Sequence, residues 1–536
     1  MLPETTTAID CEECQGIFQP TFAEGQILKK VFSPSYPIPK ITKCPSCRMR
    51  QRLAFRNEHK LYRGVCDKSG KQMVSIYRPD SGYTVYEQSI WWSDDYDPLE
   101  YGQDFDFTRP FFEQFEELNR VVPKLSIHNA KSENCDYTNY SSENRNSYLL
   151  VGGLRAEDCY YCYRVFHSKN LVDCFALSKS ELCYESLQGS ELYRCFFTIN
   201  CQNSSDLYLC DDCIGCKNCF GCINLRNQEY FIFNQSHSPE EYAQKLSTLK
   251  QDFLQSKATF ESLKGSLPVR SSYIIGCEDC SGDQLRNCKR CSECYFLSEC
   301  EDVFHSRNGE GNRDCADLNF GDGCELQYQT TNLRFNYRVA FAALAWYTKE
   351  SFYILSCFNS NNLFGCTGMK GQQYCILNKQ YTPEDYFQIV TKIIMHMEQT
   401  GEWGRFFPPA ISPFLFSETI AAEIFPLTDK ELANRSYNVG GPPNFIEQGK
   451  QNESHPTCKT CSKQFRILAQ EANFYLQLEL SPPDNCPSCR HLQRLTRRRP
   501  MQLWQGICAN CGHLVDSSCQ GNNIFCQECF TSSLAE

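Results

Sequence analysis

Cysteine pairs near both ends of the chain have the spacing of metal ligands. A Cys-x-x-Cys pair presents two sulfurs from one tight turn, and two such pairs supply the four thiolates that tetrahedral zinc prefers. We therefore predict about three zinc ions, one for each of three quartets. The quartets are Cys11, Cys14, Cys44 and Cys47; Cys458, Cys461, Cys486 and Cys489; and Cys508, Cys511, Cys526 and Cys529.

One cysteine module occurs twice. Segments 44–70 and 486–512 align without a gap at an offset of 442 residues, and both begin Cys-Pro-Ser-Cys-Arg. Ser69 stands in the first copy where the second has Cys511, and no Cys-x-x-Cys pair follows Ser69. The N-terminal copy is therefore expected to keep one zinc site and to lack the second. Further matched pairs are Arg52 and Arg494, Arg56 and Arg498, Gly64 and Gly506, and Cys66 and Cys508.

These paired cysteines, with proline inside the second pair, resemble zinc-ribbon and treble-clef modules over roughly 1–70 and 455–536. The resemblance implies small zinc-stabilised modules, but modules of this class bind DNA, RNA and proteins alike. The whole layout also resembles bacterial cysteine-rich zinc-ribbon proteins that have no assigned activity. The resemblance therefore implies a metal and leaves the partner open.

The middle of the chain is also rich in cysteine. Spacings of three resemble the start of a bacterial ferredoxin motif, but the fourth cysteine is misplaced and no proline follows it. Three interpretations stay open: buried thiols that pack as small apolar side chains, additional zinc ligands, or an iron–sulfur cluster. The candidate residues are Cys210, Cys213, Cys216, Cys219, Cys222, Cys277, Cys280, Cys288, Cys291 and Cys294.

A second internal similarity divides this middle part into halves. Segments 218–242 and 362–386 align at an offset of 144 residues, and Asp173-Cys174 recurs as Asp314-Cys315. Strand-sized runs separated by Asn, Asp, Ser and Gly predict a mainly β fold with a duplicated repeat core. A β-solenoid is the favoured arrangement and a β-sandwich the competing one. A hydroxyl residue followed by Pro-Glu at 238–240 and 382–384 predicts a capped helix closing each half.

The predicted organisation has six parts. They are an N-terminal zinc module at 1–70, an acidic aromatic-rich segment at 71–130, two repeat halves at 131–264 and 271–400, a linker at 401–456, and a tandem zinc module at 457–536.

Two basic islands follow the Cys-Pro-Ser-Cys motifs, although the net charge of the 536-residue chain is −11. Arginine offers the bidentate geometry that phosphate groups accept. Arg52, Arg56, Arg494 and Arg498 are therefore candidates for nucleic-acid binding. The alternative is that acids of the chain neutralise them, and the acidic stretch 93–117 is the expected source. The acidity of the rest of the chain favours this alternative.

The 37 cysteines occur without a recognisable secretory leader, and the most apolar run, 339–347, is too short for a membrane span. We expect a cytoplasmic protein without a membrane partner, in which thiols ligate metal instead of forming disulfides. His167 and His305 recur after Val-Phe and are expected in turns, so we predict no catalytic residue. The favoured function is a zinc-binding, non-catalytic scaffold or interaction protein whose terminal modules contact a partner, either a protein or a nucleic acid. A nucleic-acid-binding protein and an iron–sulfur redox protein are the alternatives, and the oligomeric state is left open.

Overall fold

The computed structural model describes residues 7–440 and 456–534, and this part of the chain is mainly β, with twelve α-helices and two large sheets. The chain divides into two compact units. The first comprises Met1–Ser126, Ser272–Phe445 and Met501–Leu503, and the second comprises Ile127–Ser271, Ile446–Pro500 and Trp504–Glu536. Spanning a membrane would need a longer and more apolar helix than any in the described residues.

The first unit begins with short elements that carry the N-terminal cysteines. Thr21 caps the first helix by accepting a hydrogen bond from the Glu24 amide at 3.0 Å, and the helix buries Ile27, Leu28 and Phe32. The elements are β1 (Ile9–Asp10), β2 (Ile17–Phe18), α1 (Phe22–Phe32), α2 (Pro45–Leu53), β3 (Tyr62–Val65), β4 (Gln72–Ser75), β5 (Val85–Tyr86), α3 (Gln88–Trp91), α4 (Phe111–Val121) and β6 (Lys124–Leu125).

Residues 129–236 of the second unit form the first stack, in which short strands pair in parallel except for the last pair, 229–232 with 235–236, which is antiparallel. Paired residues lie twelve positions apart, as Tyr163 with Phe175 and Phe175 with Leu187, and we call each twelve-residue segment a rung. The strands are β7 (Asn129–Ala130), β8 (Ser141–Ser142), β9 (Glu157–Tyr160), β10 (Tyr163–Phe166), β11 (Lys169–Val172), β12 (Phe175–Ser178), β13 (Glu181–Tyr184), β14 (Leu187–Tyr193), β15 (Gln202–Tyr208), β16 (Lys217–Phe220), β17 (Glu229–Ile232) and β18 (Gln235–Ser236). The stack is followed by α5 (Pro239–Gln251), α6 (Phe253–Ser266) and β19 (Val269–Arg270).

The backbone of this stack turns every three residues. From Lys131 to Phe233 every third residue has a positive φ. The residue after each of these corners points inward, and the inner positions carry small or apolar side chains such as Cys159, Cys162 and Val165. A left-handed conformation disfavours L-residues by roughly 1–2 kcal/mol. Hydrogen bonds between rungs and burial of the inner side chains must outweigh that cost.

The second stack lies in the first unit and has the same twelve-residue register, as Leu318 with Thr330 and Thr330 with Ala342. Every third residue from Gln284 to Leu377 again has a positive φ. The strands are β20 (Ile274–Ile275), β21 (Gly282–Arg286), β22 (Cys294–Ser298), β23 (Glu301–Phe304), β24 (Arg307–Glu310), β25 (Arg313–Asp322), β26 (Glu325–Arg334), β27 (Tyr337–Trp346), β28 (Lys349–Phe358), β29 (Asn361–Phe364), β30 (Gln373–Ile376) and β31 (Lys379–Gln380).

The ends of the two stacks correspond residue by residue. β16, β17 and β18 match β29, β30 and β31 at the offset of the sequence similarity between the halves, and α5 matches α7 (Pro383–Gln399) in its first residue. Ser238 and Thr382 each accept a hydrogen bond at 3.2 Å from the amide three residues on. The capped helices are therefore confirmed, and proline occupies the first helical position in both.

The described residues of the predicted linker, 401–440, contain α8 (Ile420–Ile424) and α9 (Asp429–Asn434). Phe416, Ile420 and Leu432 of this segment are buried with Met49 and Leu53 of α2. The C-terminal elements, in the second unit, are α10 (Ala469–Gln477), α11 (Pro487–Thr496), β32 (Trp504–Ile507), β33 (Leu514–Ser517), β34 (Ile524–Phe525) and α12 (Gln527–Ser533).

Candidate metal centres and the arginine anchors of their modules

Each terminal cysteine quartet joins a tight turn to the beginning of a helix. In the first quartet, Cys11 and Cys14 lie in the turn between β1 and β2, Cys44 is the N-cap of α2, and Cys47 lies in its first turn. The other two quartets repeat this arrangement at the N-termini of α11 and α12. In each quartet the four Sγ atoms lie within 4.8 Å of one another, so all three groups can hold a metal ion.

The spacing of the sulfurs suits zinc. Four sulfurs at about 2.3 Å from a tetrahedral zinc ion stand about 3.8 Å apart. Between the two pairs of each quartet, Sγ–Sγ distances are 3.8 Å for Cys14 and Cys44, 3.7 Å for Cys461 and Cys486, and 3.9 Å for Cys511 and Cys526. Four thiolates fill the tetrahedron, so these donor sets fit structural zinc and leave no position for substrate.

Backbone amides hold the turns and point at the sulfurs. The Cys508 amide donates to the His513 carbonyl at 2.8 Å, and the Gly512 amide donates to the Cys508 carbonyl at 2.9 Å. The Cys526 amide lies 3.3 Å from Cys508 Sγ. Burial favours the neutral thiol of Cys508, but the surrounding backbone amides outweigh it and lower its pKa to about 6. The turn therefore favours the thiolate that a metal requires.

Arginines of α2 are buried against an aspartate of the second stack. Arg48 Nε lies 2.6 Å from Asp317 Oδ2, and Arg52 Nη1 lies 3.1 Å from Asp317 Oδ1. The other end of the Arg48 guanidinium contacts Glu24 of α1 at 2.5 Å. Burial favours neutral Asp317, yet the attraction of Arg48 and Arg52 outweighs it and lowers the pKa of this carboxyl. Both arginines and Asp317 have at most 2% of their side chains exposed.

Arginines of α11 make the same arrangement with the first stack. Arg490 Nη1 lies 2.7 Å from Asp173 Oδ2, and Arg494 Nη1 lies 2.5 Å from Asp173 Oδ1. Glu471 of α10 contacts Arg490 at 3.2 Å, and Glu185 contacts Arg494 at 3.3 Å. Asp173 is fully buried. We call each set of two arginines and one stack aspartate an arginine anchor.

The two anchors correspond in both sequence similarities. Asp173 and Asp317 lie 144 residues apart, and their arginines lie 442 residues apart. Each aspartate occupies a positive-φ corner, a conformation that Asp tolerates better than most residues. The anchors thus hold the N-terminal module on the second stack and the C-terminal module on the first. A further matched pair of arginines also packs on the stacks, since Arg56 lies over the Phe320 ring and Arg498 over the Phe175 ring, both at 4.3 Å.

The four candidate nucleic-acid residues are used within the protein. Arg52 and Arg494 have 0% and 2% of their side chains exposed, and Arg56 forms an ion pair with Glu58 in addition to its ring contact. Arg52, Arg56 and Arg494 are buried, and the half-buried Arg498 packs on an aromatic ring. Little of their surface is left for phosphate groups, which argues against the nucleic-acid interpretation. The neutralising acids are also different from those expected, because Asp317 and Asp173 lie in the stacks and not in 93–117.

The central cysteines line the interiors of the stacks. Their spacing of three follows the corner spacing of the backbone, so consecutive cysteines are consecutive inner positions. Cys210 Sγ lies 3.5 Å from the carbonyl oxygens of Tyr208 and Cys219, and the Ser186 hydroxyl occupies an inner position with the same pattern of carbonyl partners. The inner cysteines thus act as small donors to neighbouring rungs.

This arrangement bears on the candidate metal ligands of the middle region. Cys277 and Cys280 are partly buried, and the remaining eight candidates are buried. Within residues 7–440 and 456–534, no central cysteine belongs to a group of three or more ligand atoms lying within 4.8 Å of one another. The geometry favours buried thiols over additional zinc or an iron–sulfur cluster. The buried members are Cys210, Cys213, Cys216, Cys219, Cys222, Cys288, Cys291 and Cys294.

The two anchors differ in the residue next to the glutamate that contacts the first arginine, Glu24 in one and Glu471 in the other. In the first unit, His305 Nδ1 lies 3.0 Å from Glu293 and its Nε2 lies 3.8 Å from Glu24, with Asp317 and Arg48 also nearby. Burial lowers the pKa of His305, but the three acids outweigh burial and Arg48, so the pKa is raised. The corresponding position beside the other anchor is Tyr161, whose hydroxyl donates to Glu471 at 3.0 Å.

Sequence reasoning did not identify the anchor acids. The sequence similarity matches Asp173 with Asp314, whereas the contacts match it with Asp317. Asp314 instead pairs with Lys30 at 2.6 Å. Because the backbone corner recurs every three residues, a slip of three keeps cysteine inward and hides the correct match.

No protein-family model matches this chain, and comparison with curated proteins also finds no match.

Proposed function

We propose that this protein is a zinc-binding, non-catalytic scaffold whose terminal cysteine modules contact a protein partner. The observation that carries the proposal is the gathering of each terminal quartet within 4.8 Å. A four-thiolate site stabilises a small module and offers no open position for a reacting molecule. Zinc bound in this way would contribute directly to the folding free energy of each module.

The scaffold would consist of a duplicated β-solenoid with twelve-residue rungs. Support comes from the parallel twelve-residue register in both stacks and from the element bounds that coincide when the two halves are aligned. The stack aspartates then give each module a fixed mounting point, because a departing guanidinium would leave its partner carboxylate as an uncompensated buried charge. Rigid mounting is what a scaffold that presents a binding surface requires.

A protein partner is favoured by the surface that the third quartet leaves exposed. Ile507 and Leu514 are directly opposed in the β32–β33 pair, and 65% and 77% of these side chains are exposed. Cys511 beside them is exposed as well. An apolar cross-strand pair next to a metal turn suits a protein surface better than a phosphate backbone. A reducing, cytoplasmic location is supported by the twelve quartet cysteines, whose thiols are gathered as metal ligands instead of being joined in disulfides.

Metal analysis of protein purified without chelator tests the proposal. We expect three zinc ions per chain and no visible absorbance. Replacement of zinc by cobalt should give the spectrum of a tetrahedral four-thiolate site at all three positions. Fewer than two tightly bound zinc ions, a brown protein with iron and sulfide, or a cobalt spectrum with oxygen or nitrogen ligands would each contradict it.

A further inference from the structure

The N-terminal module contains two hairpin strands, a third strand and a helix that match the elements around the third quartet. We call each of these sets of elements a ribbon. The β3–β4 hairpin pairs Tyr62 with Ser75, and the β32–β33 hairpin pairs Trp504 with Ser517, so the two hairpins have the same register when the modules are aligned. The turns agree too. The Cys66 amide donates to the Lys71 carbonyl and the Gly70 amide to the Cys66 carbonyl, both at 2.9 Å, as in the Cys508 turn.

Backbone contacts identify the other half of the site, which the ungapped alignment does not reach. The Cys526 amide lies 3.3 Å from Cys508 Sγ, and the Glu87 amide lies 3.4 Å from Cys66 Sγ. Cys526 is the N-cap of α12, and Glu87 is the N-cap of α3. Glu87 therefore occupies the place of Cys526.

The strand before each helix and the helix itself extend the match. The Ala509 amide donates to the Ile524 carbonyl at 2.8 Å, and the Asp67 amide donates to the Val85 carbonyl at 3.1 Å. β34 pairs in parallel with β19, and β5 pairs in parallel with β6. Four residues after each N-cap, Phe530 and Trp91 are fully buried. Ile90 therefore stands where the other ribbon has Cys529.

We infer that the ribbon formed by β3, β4, β5 and α3 is an emptied zinc site, which keeps the fold of the third metal centre and no longer binds the metal. Its ligand positions are Cys66, Ser69, Glu87 and Ile90. Isoleucine cannot ligate, a neutral serine hydroxyl is a poor zinc ligand, and one thiolate with one carboxylate cannot complete a structural tetrahedron.

Aromatic packing and backbone hydrogen bonds take the place of the metal. Trp91 Nε1 donates to the Pro123 carbonyl at 3.1 Å, and its ring lies 5.3 Å from Tyr96 and 5.6 Å from Phe358. The Cys66 sulfur accepts amide hydrogens from Ser69 at 3.5 Å and from Glu87 at 3.4 Å. Chelation should therefore loosen the C-terminal ribbon and leave its N-terminal counterpart folded.

Rebuilding the site tests the inference directly. The variant Ser69→Cys, Glu87→Cys, Ile90→Cys should bind one more zinc ion per chain than the wild type, counted by native mass spectrometry. The matched control carries these substitutions together with Cys66→Ala, and it should bind the extra ion much more weakly. A triple variant that folds and keeps the wild-type count would overturn the inference.

A measurement on the unaltered protein covers the case in which the variant fails to fold. Hydrogen exchange is followed in the wild type with and without chelator. Peptides from 504–534 should lose protection, while peptides from 62–91 should keep it. Equal loss in both ribbons would refute the inference. The inference of an emptied site rests on the proposed function, which places zinc in the third quartet, but different results would contradict each of them. Zinc absent from that quartet contradicts the proposed function, and a fourth ion in the wild type contradicts the emptied site.

Discussion

Asp317→Asn should release the N-terminal module from the second stack. Asp317 is fully buried and faces both Arg48 at 2.6 Å and Arg52 at 3.1 Å. Asparagine keeps the shape of the side chain and removes its charge. Glu24 still faces Arg48, but Arg52 loses its acidic partner. Breaking a buried ion pair by removing one partner costs about 3–5 kcal/mol. The opening equilibrium of α2 should therefore rise roughly a hundred- to a few thousand-fold, since each 1.4 kcal/mol is about tenfold.

Hydrogen exchange of the zinc-bound full chain measures this opening, with peptides from α2 as the probe and peptides from α11 as the internal reference. Asp173→Asn is the reciprocal variant and should act on α11. Glu157→Gln removes a partially exposed ion pair with Arg145 and should change opening by less than about 1 kcal/mol. If α2 protection falls less than tenfold in Asp317→Asn, or if either aspartate variant affects both helices equally, the anchor argument is wrong.

Three further outcomes are expected. The pKa of His305 is raised on folding, so its contribution to stability is complete below its unfolded pKa, about 6.5, and is lost as pH rises through the folded pKa. The opening free energy of α2 should fall on going from about pH 6 to pH 9 in the wild type, and this slope should be smaller in His305→Tyr. Maleimide applied to the folded, zinc-bound protein should leave the buried cysteines at 210–222 unlabelled, and rapid labelling would show that they are accessible. RNA and duplex DNA should bind weakly at most and with strong salt dependence, and a tight complex at physiological salt that Arg52→Ala and Arg494→Ala abolish would restore the nucleic-acid interpretation.

The sequence predicts the metal quartets because their geometry is local. A Cys-x-x-Cys pair specifies its own turn, and a following proline places the second pair at a helix start, as in α2 and α11. The capped helices α5 and α7 were predictable for the same reason. The twelve-residue rung is harder to predict from the sequence. Inner residues recur every three positions instead of the two of an extended strand, so strand-sized runs bounded by polar residues predict the mainly β content but not the register.

The anchors could not be predicted because their partners are remote. Arg48 and Asp317 are separated by 269 residues, and Arg494 and Asp173 by 321 residues. The charge pattern indicates that acidic residues neutralise the basic islands, but the anchor acids do not come from the acidic stretch 93–117. A buried aspartate in a cysteine-rich rung has no local signature that separates it from an exposed one. Only the stacked rungs reveal which aspartate lies under a module.

Both modules use the same kind of anchor, so the anchor alone does not determine which stack a module binds. The residues around the two aspartates differ and can make this distinction. Glu185 beside Asp173 pairs with Arg497 at 2.7 Å, but the matched residue of the N-terminal module is Phe55. On the wrong stack, the N-terminal module would place Phe55 against the largely buried Glu185, which would keep an arginine at the position of Arg494 and lose the one at the position of Arg497. Loss of one arginine partner from a largely buried carboxylate destabilises that pairing. The aspartate present in both stacks would then provide affinity for either module, and the residues that differ around it would determine which module binds.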